Sequence, residues 1–282
     1  MIPAGLPDPI PGEEVSVILH LSDPHFGTED PAAVEALVML SELERPDVVV
    51  ASGDITRRAR EGEFVGAQRF FNRLRTRHTL VLPGDHDIPL WDLPRRMLTP
   101  YASFRRYFGD NLEPRLASDQ VWIAGLLSVR RWRHRDGALS ADQIERTADW
   151  LAKAPRQALK VVVTHHPVAV LRWHEEDDVL SGAPRALERW LDAGVDIVLG
   201  GHTHSPSTLP VQTSRAGPRA LWVSQAGSAV SRQAGTSAQS VNLLRRHWAG
   251  AWRLEQWDFE PERRQFARRE WRELPLRRAH QM

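Results

Sequence analysis

Thr79-Leu80-Val81-Leu82-Pro83-Gly84-Asp85-His86-Asp87 holds the sharpest signal in the chain. Its first four residues are an apolar run of strand length, and Pro83-Gly84 stops that strand abruptly. Behind the stop stand two carboxylates and an imidazole in a row. Packing has no use for them, because Asp and His are poor core residues and turns rarely need three ionisable groups together. A divalent cation does use them, since oxygen and imidazole nitrogen are the donors that hard and borderline ions take.

Upstream, the same rhythm occurs twice. An apolar strand over 15–21 ends at Ser22-Asp23-Pro24-His25. Asp30-Pro31 then predicts an N-cap and a first-turn proline for a helix to about 43. A strand over 47–51 ends at Ser52-Gly53-Asp54, and a helix is predicted over 61–74. Repeated strand–helix alternation argues for a mostly parallel or mixed sheet covered by helices.

Downstream, a helix is predicted over 98–108 and a strand over 121–127. A basic loop, Arg130 to Arg135, follows. Ser140 with Gln143 forms a capping-box pair that opens a helix through 151. A strand over 158–164 ends at His165-His166-Pro167, a helix follows over 184–193, and a strand over 196–199 ends at Gly200-Gly201-His202-Thr203-His204. Stretches 220–225, 240–244 and 251–259 are expected to be antiparallel strands that finish a second sheet. The chain divides into a flexible segment over 1–12, one domain over 13–260 and a charged C-terminal tail over 261–282.

Bulk properties narrow the classes. The chain has 282 residues, a formal charge of +1 and no cysteine. Disulfides, thiolate zinc sites and a cysteine nucleophile are therefore excluded. No run approaches the ~20 apolar residues of a membrane span, and the first residues lack a signal pattern. The expected location is the cytoplasm.

Five strand ends thus carry Asp-x-His, Gly-Asp, Gly-Asp-His-Asp, His-His-Pro and Gly-His-Thr-His. Ligands of α/β sheets bind beyond the carboxyl ends of strands, so these ends are expected to converge. Asp23, His25, Asp54, Asp85, His165, His202 and His204 would then meet. So many N and O donors suit two ions sharing a carboxylate, a pair that lies about 3.5–4 Å apart in known two-metal sites.

In this order, Asp23-x-His25, Gly53-Asp54, Gly84-Asp85-His86-Asp87, His165 and Gly201-His202-Thr203-His204 resemble the five motifs of the calcineurin-like metallophosphoesterases. The resemblance spans about residues 19–204 and is nearest the bacterial 3′,5′-cyclic-nucleotide phosphodiesterase-like branch. It implies a four-layer α/β/β/α sandwich of two mixed sheets. It also implies two divalent metal ions, drawn from Mn²⁺, Fe²⁺/Fe³⁺ and Zn²⁺. Asp23, His25, Asp54 and His204 would hold the first. Asp54 would bridge to the second, joined by Asp85, His165 and His202. His86 would stay off the metals, face the scissile phosphate and protonate the leaving oxygen, with Asp87 orienting it. Between the adjacent histidines, the resemblance assigns His165 as the ligand and puts His166 behind it.

The implied activity is hydrolysis of a phosphodiester, a cyclic nucleotide in that branch, by metal-bound hydroxide. The alternatives are a phosphomonoesterase, a pyrophosphatase acting on a nucleotide-linked sugar or lipid, and a weakly active scaffold. The family usually has asparagine where this chain has Asp85. A carboxylate there adds negative charge, so tighter metal binding and a less electrophilic metal pair are expected. The partner is a small phosphoester, with nucleotides among the candidates.

The remaining polar residues have plainer readings. His20 reads as a packed strand side chain, His78 as a turn residue, and His134 and His174 as loop residues. The Arg130 to Arg135 cluster reads as a solvated loop ahead of a phosphate clamp. The tail reads as a solvated edge or an oligomer contact ahead of a surface for nucleic acid or anionic lipid. Trp222, Trp248, Trp252, Trp257 and Trp271 fall in strand-like stretches, which argues for packing rather than base stacking.

Overall fold

Short strands buried along their whole length form two sheets packed face to face. The computed structural model describes residues 14–133, 136–212, 220–232, 239–247 and 250–275. The first half runs β1 (Val17–Leu21), α1 (Pro31–Glu44), β2 (Val48–Ala51), α2 (Glu61–Phe71), β3 (His78–Val81), α3 (Leu93–Leu98), α4 (Ala102–Phe108), β4 (Arg115–Ala117) and β5 (Val121–Gly125). The second runs α5 (Ala141–Ala152), β6 (Leu159–Val163), α6 (Ala183–Ala193), β7 (Ile197–Gly200), β8 (Ser207–Val211), β9 (Leu221–Gln225), β10 (Ser240–Arg246), β11 (Trp252–Glu260) and β12 (Gln265–Leu274).

One sheet has the order β12-β11-β10-β1-β2-β3 and the other β4-β5-β6-β7-β9-β8. Strands β1, β2 and β3 are parallel, as are β5, β6, β7 and β9, while the outer pairings are antiparallel. Successive side chains point to opposite faces, and the central strands are apolar on both. Ile18, Val48, Val50, Val121, Ile123, Val161, Ile197 and Leu199 meet in the central core between the sheets. Leu19, Val49 and Ala51 point outward and are covered by α1 and α2 through Leu37, Phe64 and Phe70. Ala124, Val162 and Val198 are covered by α5 and α6 through Ile144, Leu151 and Trp190. The result is the expected four-layer α/β/β/α sandwich.

Local signals fix the helix ends. Asp30 caps α1, accepting from Ala32 N with Pro31 in the first turn. Ser140 and Gln143 form the capping box of α5.

Three expectations change. The predicted helix over 98–108 is two helices, because Pro94 opens α3 and Pro100 separates it from α4. The late strands do not complete one antiparallel sheet. β9 joins the second sheet parallel to β7, whereas β10 and β11 extend the first. The charged tail is also a strand over much of its length. β12 pairs with β11 from Gln265 to Leu274 despite its arginines and glutamates, because an edge strand can leave one face in water. Arg253 there lies over the Trp271 ring at 4.1 Å. The segment expected to be flexible, 1–12, lies outside the described residues, as do Trp248, His134, Arg135 and the last seven positions. Among the described residues, no helix is long and apolar enough to cross a membrane.

Candidate metal centre

The carboxyl ends of β1, β2 and β3 open on the same edge as those of β6 and β7. Backbone hydrogen bonds stitch their loops together. Asp23 N donates to Gly53 O at 3.1 Å, His25 N to Asp54 O at 3.1 Å, and Gly201 N to His165 O at 2.9 Å. One bond crosses between the sheets: Asp23 Oδ2 accepts from His202 N at 2.9 Å.

The local backbone is strained where the donors sit. Asp23, His25, Asp54, His202 and His204 have φ between 43° and 71°. Non-glycine residues rarely take that left-handed conformation, at a cost of about 1–2 kcal/mol each. The bend turns each side chain back over the strand end. Close approach also fixes Gly84, where a Cβ would stand 2.2 Å from Asp54 N and 2.1 Å from Asp54 Oδ1. Gly84→Ala is therefore expected to cost about 2–3 kcal/mol and to lower metal affinity, as read by thermal unfolding and metal content.

The donors form two adjoining groups of four, and Asp54, Asp85 and His86 make a smaller third group between them. Asp23, His25, Asp54 and His204 each offer one ligand atom within 4.8 Å of the others, and Asp85, His165, His166 and His202 do the same. In the first group, His25 Nε2 is 3.1 Å from His204 Nε2 and 3.5 Å from Asp54 Oδ2, and His204 Nε2 is 3.2 Å from Asp23 Oδ1. In the second, Asp85 Oδ1 is 3.2 Å from both His165 Nε2 and His202 Nδ1. Asp54 joins the two, because its other oxygen, Oδ1, is 3.4 Å from His165 Nε2. The Nδ1 of His165 is anchored on Ser52 O at 3.0 Å, which leaves Nε2 to face the carboxylates.

Without positive charge this cluster is electrostatically frustrated. Burial pushes the Asp54 carboxyl well above its ordinary value, and Asp85, Asp23 and Asp87 push it the same way. Burial drives His25 down to about 3, against the pull of Asp23. For Asp23, burial acts upward, but the imidazoles of His204, His165 and His25 prevail and hold the carboxyl below its usual range. His202 shows the reverse balance: burial acts downward, while Asp178 and Asp85 raise it to about 10. Asp23 Oδ1 is buried and has no hydrogen-bond partner. Two imidazole nitrogens 3.1 Å apart beside converging carboxylates match the needs of divalent cations. The residues present therefore fit a metal pair.

Every described donor expected from the sequence reaches this cluster, and three contacts go beyond that expectation. His166 is buried and its Nε2 lies 4.0 Å from Asp85 Oδ1, so it belongs to the second donor group and not behind it. Its Nδ1 is held by Ser128 Oγ at 2.9 Å. Asp178 approaches His202 Nε2 at 3.5 Å from a loop that carried no motif.

The expected contact between Asp87 and His86 is replaced by others. The Asp87 carboxylate accepts from Gly84 N at 2.8 Å, Ile55 N at 3.0 Å, Thr56 N at 2.8 Å and Thr56 Oγ1 at 2.8 Å. It thereby locks the Gly53-Asp54 loop to the Gly84 loop, and burial pushes its pKa up to about 6 against those donors. Arg57 orients His86 in its place. Both the carbonyl and the guanidinium of Arg57 lie 2.9 Å from His86 Nδ1. His86 Nε2 faces the cluster, 3.9 Å from an oxygen of Asp54 and of Asp85, with the Arg57 guanidinium 3.5 Å away on its other side. Arg57 follows a motif by three positions, but nothing in the arginine run 57–60 distinguished it from its neighbours.

One of the plainer readings changes: His78 is the half-buried first residue of β3, paired with Val48, and not a turn residue. His20 packs in its strand against Ser52 Oγ at 3.0 Å, and burial lowers its pKa to about 3. Arg130 is spent on Leu127 O, Val129 O and Gln143 Oε1, which removes it as a free phosphate clamp.

Comparison with known proteins agrees with this geometry. A structure of a dimetal phosphatase from Danio rerio superposes with a TM-score of 0.64 at 14% identity, covering 94% of this chain and 100% of that one. A purple acid phosphatase from yellow lupin (Lupinus luteus) seeds superposes with a TM-score of 0.62 at 14% identity, over 89% of this chain. The match spans only 52% of the lupin protein. At such identities the likeness concerns the fold. No curated protein matches the sequence. The sequence profile of the calcineurin-like phosphoesterases, however, matches residues 16–206, from the first strand through the last histidine motif. The chain belongs to the calcineurin-like phosphoesterase family.

Proposed function

We propose that this chain is a dinuclear metal-dependent phosphodiesterase acting on a small diester, with cyclic nucleotides as the first class to test. Family membership indicates a metal-dependent phosphoester hydrolase. The observation that carries the dinuclear reading is the Asp54 carboxylate, whose two oxygens face two separate donor groups beside His86, and the diester class follows from the resemblance of the motif series. Asp23, His25, Asp54 and His204 would hold one ion, and Asp54, Asp85, His165 and His202 the other, with His166 alongside. Bound there, divalent cations supply Lewis acidity and lower the pKa of water.

The chain's own side chains do the rest. His86 is the proton donor to the departing oxygen through Nε2, because Arg57 occupies its Nδ1 edge. Asp87 keeps the loops of Asp54 and Asp85 in register. The left-handed turns at Asp23, His25, Asp54, His202 and His204 hold the donors rigidly enough that little reorganisation is needed.

The test uses Mn²⁺-loaded protein with bis(p-nitrophenyl) phosphate and p-nitrophenyl phosphate. Faster turnover of the diester is expected, and His86→Gln should reduce it about 10²-fold with metal content unchanged. Preference for the monoester refutes the diesterase reading. No turnover of either with two metals bound refutes the enzyme. Asp85→Asn removes one negative charge, so metal affinity should fall and diester turnover should rise. Loss of metal without a gain in turnover would show that the carboxylate suits this site better than an amide.

A further inference from the structure

Large apolar side chains are unevenly placed on this protein. Among the described residues, six of the eleven that stand exposed are Leu90, Trp91, Leu93, Met97, Leu98 and Trp132. Trp91 is 88% exposed, Leu98 79% and Trp132 66%. The first five follow the His86 motif directly and run through α3. Trp132 sits on the loop that leaves β5. Both segments emerge from carboxyl ends of parallel strands, the edge that carries the metal centre.

The two segments are fastened into one body. Arg96 is buried beneath them, and its guanidinium donates to Pro89 O at 3.1 Å, Arg131 O at 2.8 Å and Arg133 O at 2.8 Å. Arg131 Nη1 donates back to Met97 O at 2.7 Å, and the Tyr101 hydroxyl to Val129 O at 3.0 Å. A cleft of about 460 Å³ opens between the segments, with Leu98, Tyr101, Leu127 and Trp132 among its walls. Arg105, Arg130 and Arg131 also line it, and no carboxylate does. Arg95 stands exposed beside Leu93.

We propose that this face is a peripheral docking surface for an anionic lipid bilayer. Trp91, Leu93, Leu98 and Trp132 would enter the interfacial layer, while Arg95, Arg105 and Arg131 meet lipid phosphates. Protruding Trp and Leu interleaved with arginine are the combination that favours a wet, negatively charged interface. The charge pattern chooses lipid over a second copy of the chain. Asp92 stands exposed between Trp91 and Leu93, but Arg95, Arg105 and Arg131 outnumber it, so the face is net basic and would repel its own likeness across a twofold axis. A bilayer of negative surface potential complements it. Docked in this way, the strand-end edge would face the layer in which lipid phosphoesters lie. The inference does not rest on the diesterase reading.

Flotation of the full chain with vesicles tests it, using phosphatidylcholine alone and phosphatidylcholine mixed with phosphatidylglycerol. The protein should float with the mixed vesicles, remain in solution with the neutral ones, and detach as salt is raised. The triple variant Trp91→Ser, Leu98→Ser, Trp132→Ser should bind at least about tenfold more weakly. The triple variant Arg95→Gln, Arg105→Gln, Arg131→Gln should lose the preference for anionic lipid. Among the described residues, five of the six side chains make no bond between the two segments, whereas Arg131 also holds Met97 O, so thermal unfolding of each variant is measured beside binding, and an unchanged transition shows that it is folded. The proposal is overturned if the wild type ignores both vesicles, or if both variants float as it does. It is equally overturned if the apolar face instead holds a dimer in solution that the serine variant dissolves without any vesicle binding.

Discussion

Replacing Asp54 with alanine should abolish the dinuclear site and reduce turnover by about 10³-fold or more. The estimate follows from the several kcal/mol that a metal ion contributes to a phosphoryl transition state, at about 1.4 kcal/mol per tenfold. Asp54 is the carboxylate whose oxygens approach both donor groups, at 3.5 Å from His25 Nε2 and 3.4 Å from His165 Nε2. It also accepts from His86 N at 2.9 Å, so its removal loosens the proton donor as well. Elemental analysis after dialysis against Mn²⁺ should show fewer than two ions bound. The metal-free variant should be no less stable than the metal-free wild type, because Asp54 is buried among Asp85, Asp23 and Asp87 and its charge is unwelcome there. Two ions retained with activity lost would show that Asp54 positions His86 but does not bridge.

Asp87→Ala carries the largest expected loss of stability. Three backbone N–H groups and the Thr56 hydroxyl end on this one carboxylate. Each buried donor left unsatisfied costs about 1–3 kcal/mol, and the four are not additive, so a loss of about 4 kcal/mol is expected. At about 2–4 °C per kcal/mol this lowers Tm by roughly 10 °C. Asp87→Asn keeps one acceptor oxygen and should fall between. The measurement is thermal unfolding in chelator, which removes the metals from the comparison. An unchanged Tm with a selective loss of turnover would instead return Asp87 to the role of orienting His86.

Much of the fold was legible because local and global signals agree. The apolar runs ending at Asp23 and Asp54 are strands buried on both faces, so their patterns are continuous and short, whereas β3, before Gly84, is an edge strand with Thr79 exposed. Asp30-Pro31 and Ser140 with Gln143 mark helix starts through hydrogen bonds made within a few residues. β12 was hidden for the opposite reason. An edge strand with one solvated face needs few apolar residues, and its arginines and glutamates imitate a solvated tail. Strand direction was hidden too, since whether β9 runs with or against β7 depends on the route of the connecting chain.

The candidate site divides in the same way. Each metal donor follows a strand end, where sequence context is strong. The interactions that hold those donors in place are long-range and carry no local signature. Asp87 reaches back some thirty positions to Ile55 and Thr56, and Arg57 reaches forward to His86. The family resemblance implied that Asp87 orients His86, but the 3-10 turn over Asp85–Asp87 aims adjacent side chains in different directions. Asp178 was invisible for a related reason, as one of four acidic residues in a row of which it approaches His202.

β1, which delivers Asp23 and His25, lies between β2 and β10. During synthesis its β2 neighbour emerges at once, whereas residues 240–246 leave the ribosome almost two hundred positions later. Until then the nascent chain presents an unpaired strand edge, apolar but for His20, the kind of template on which polypeptides stick to one another. Translation stalled before residue 240 should therefore yield insoluble product.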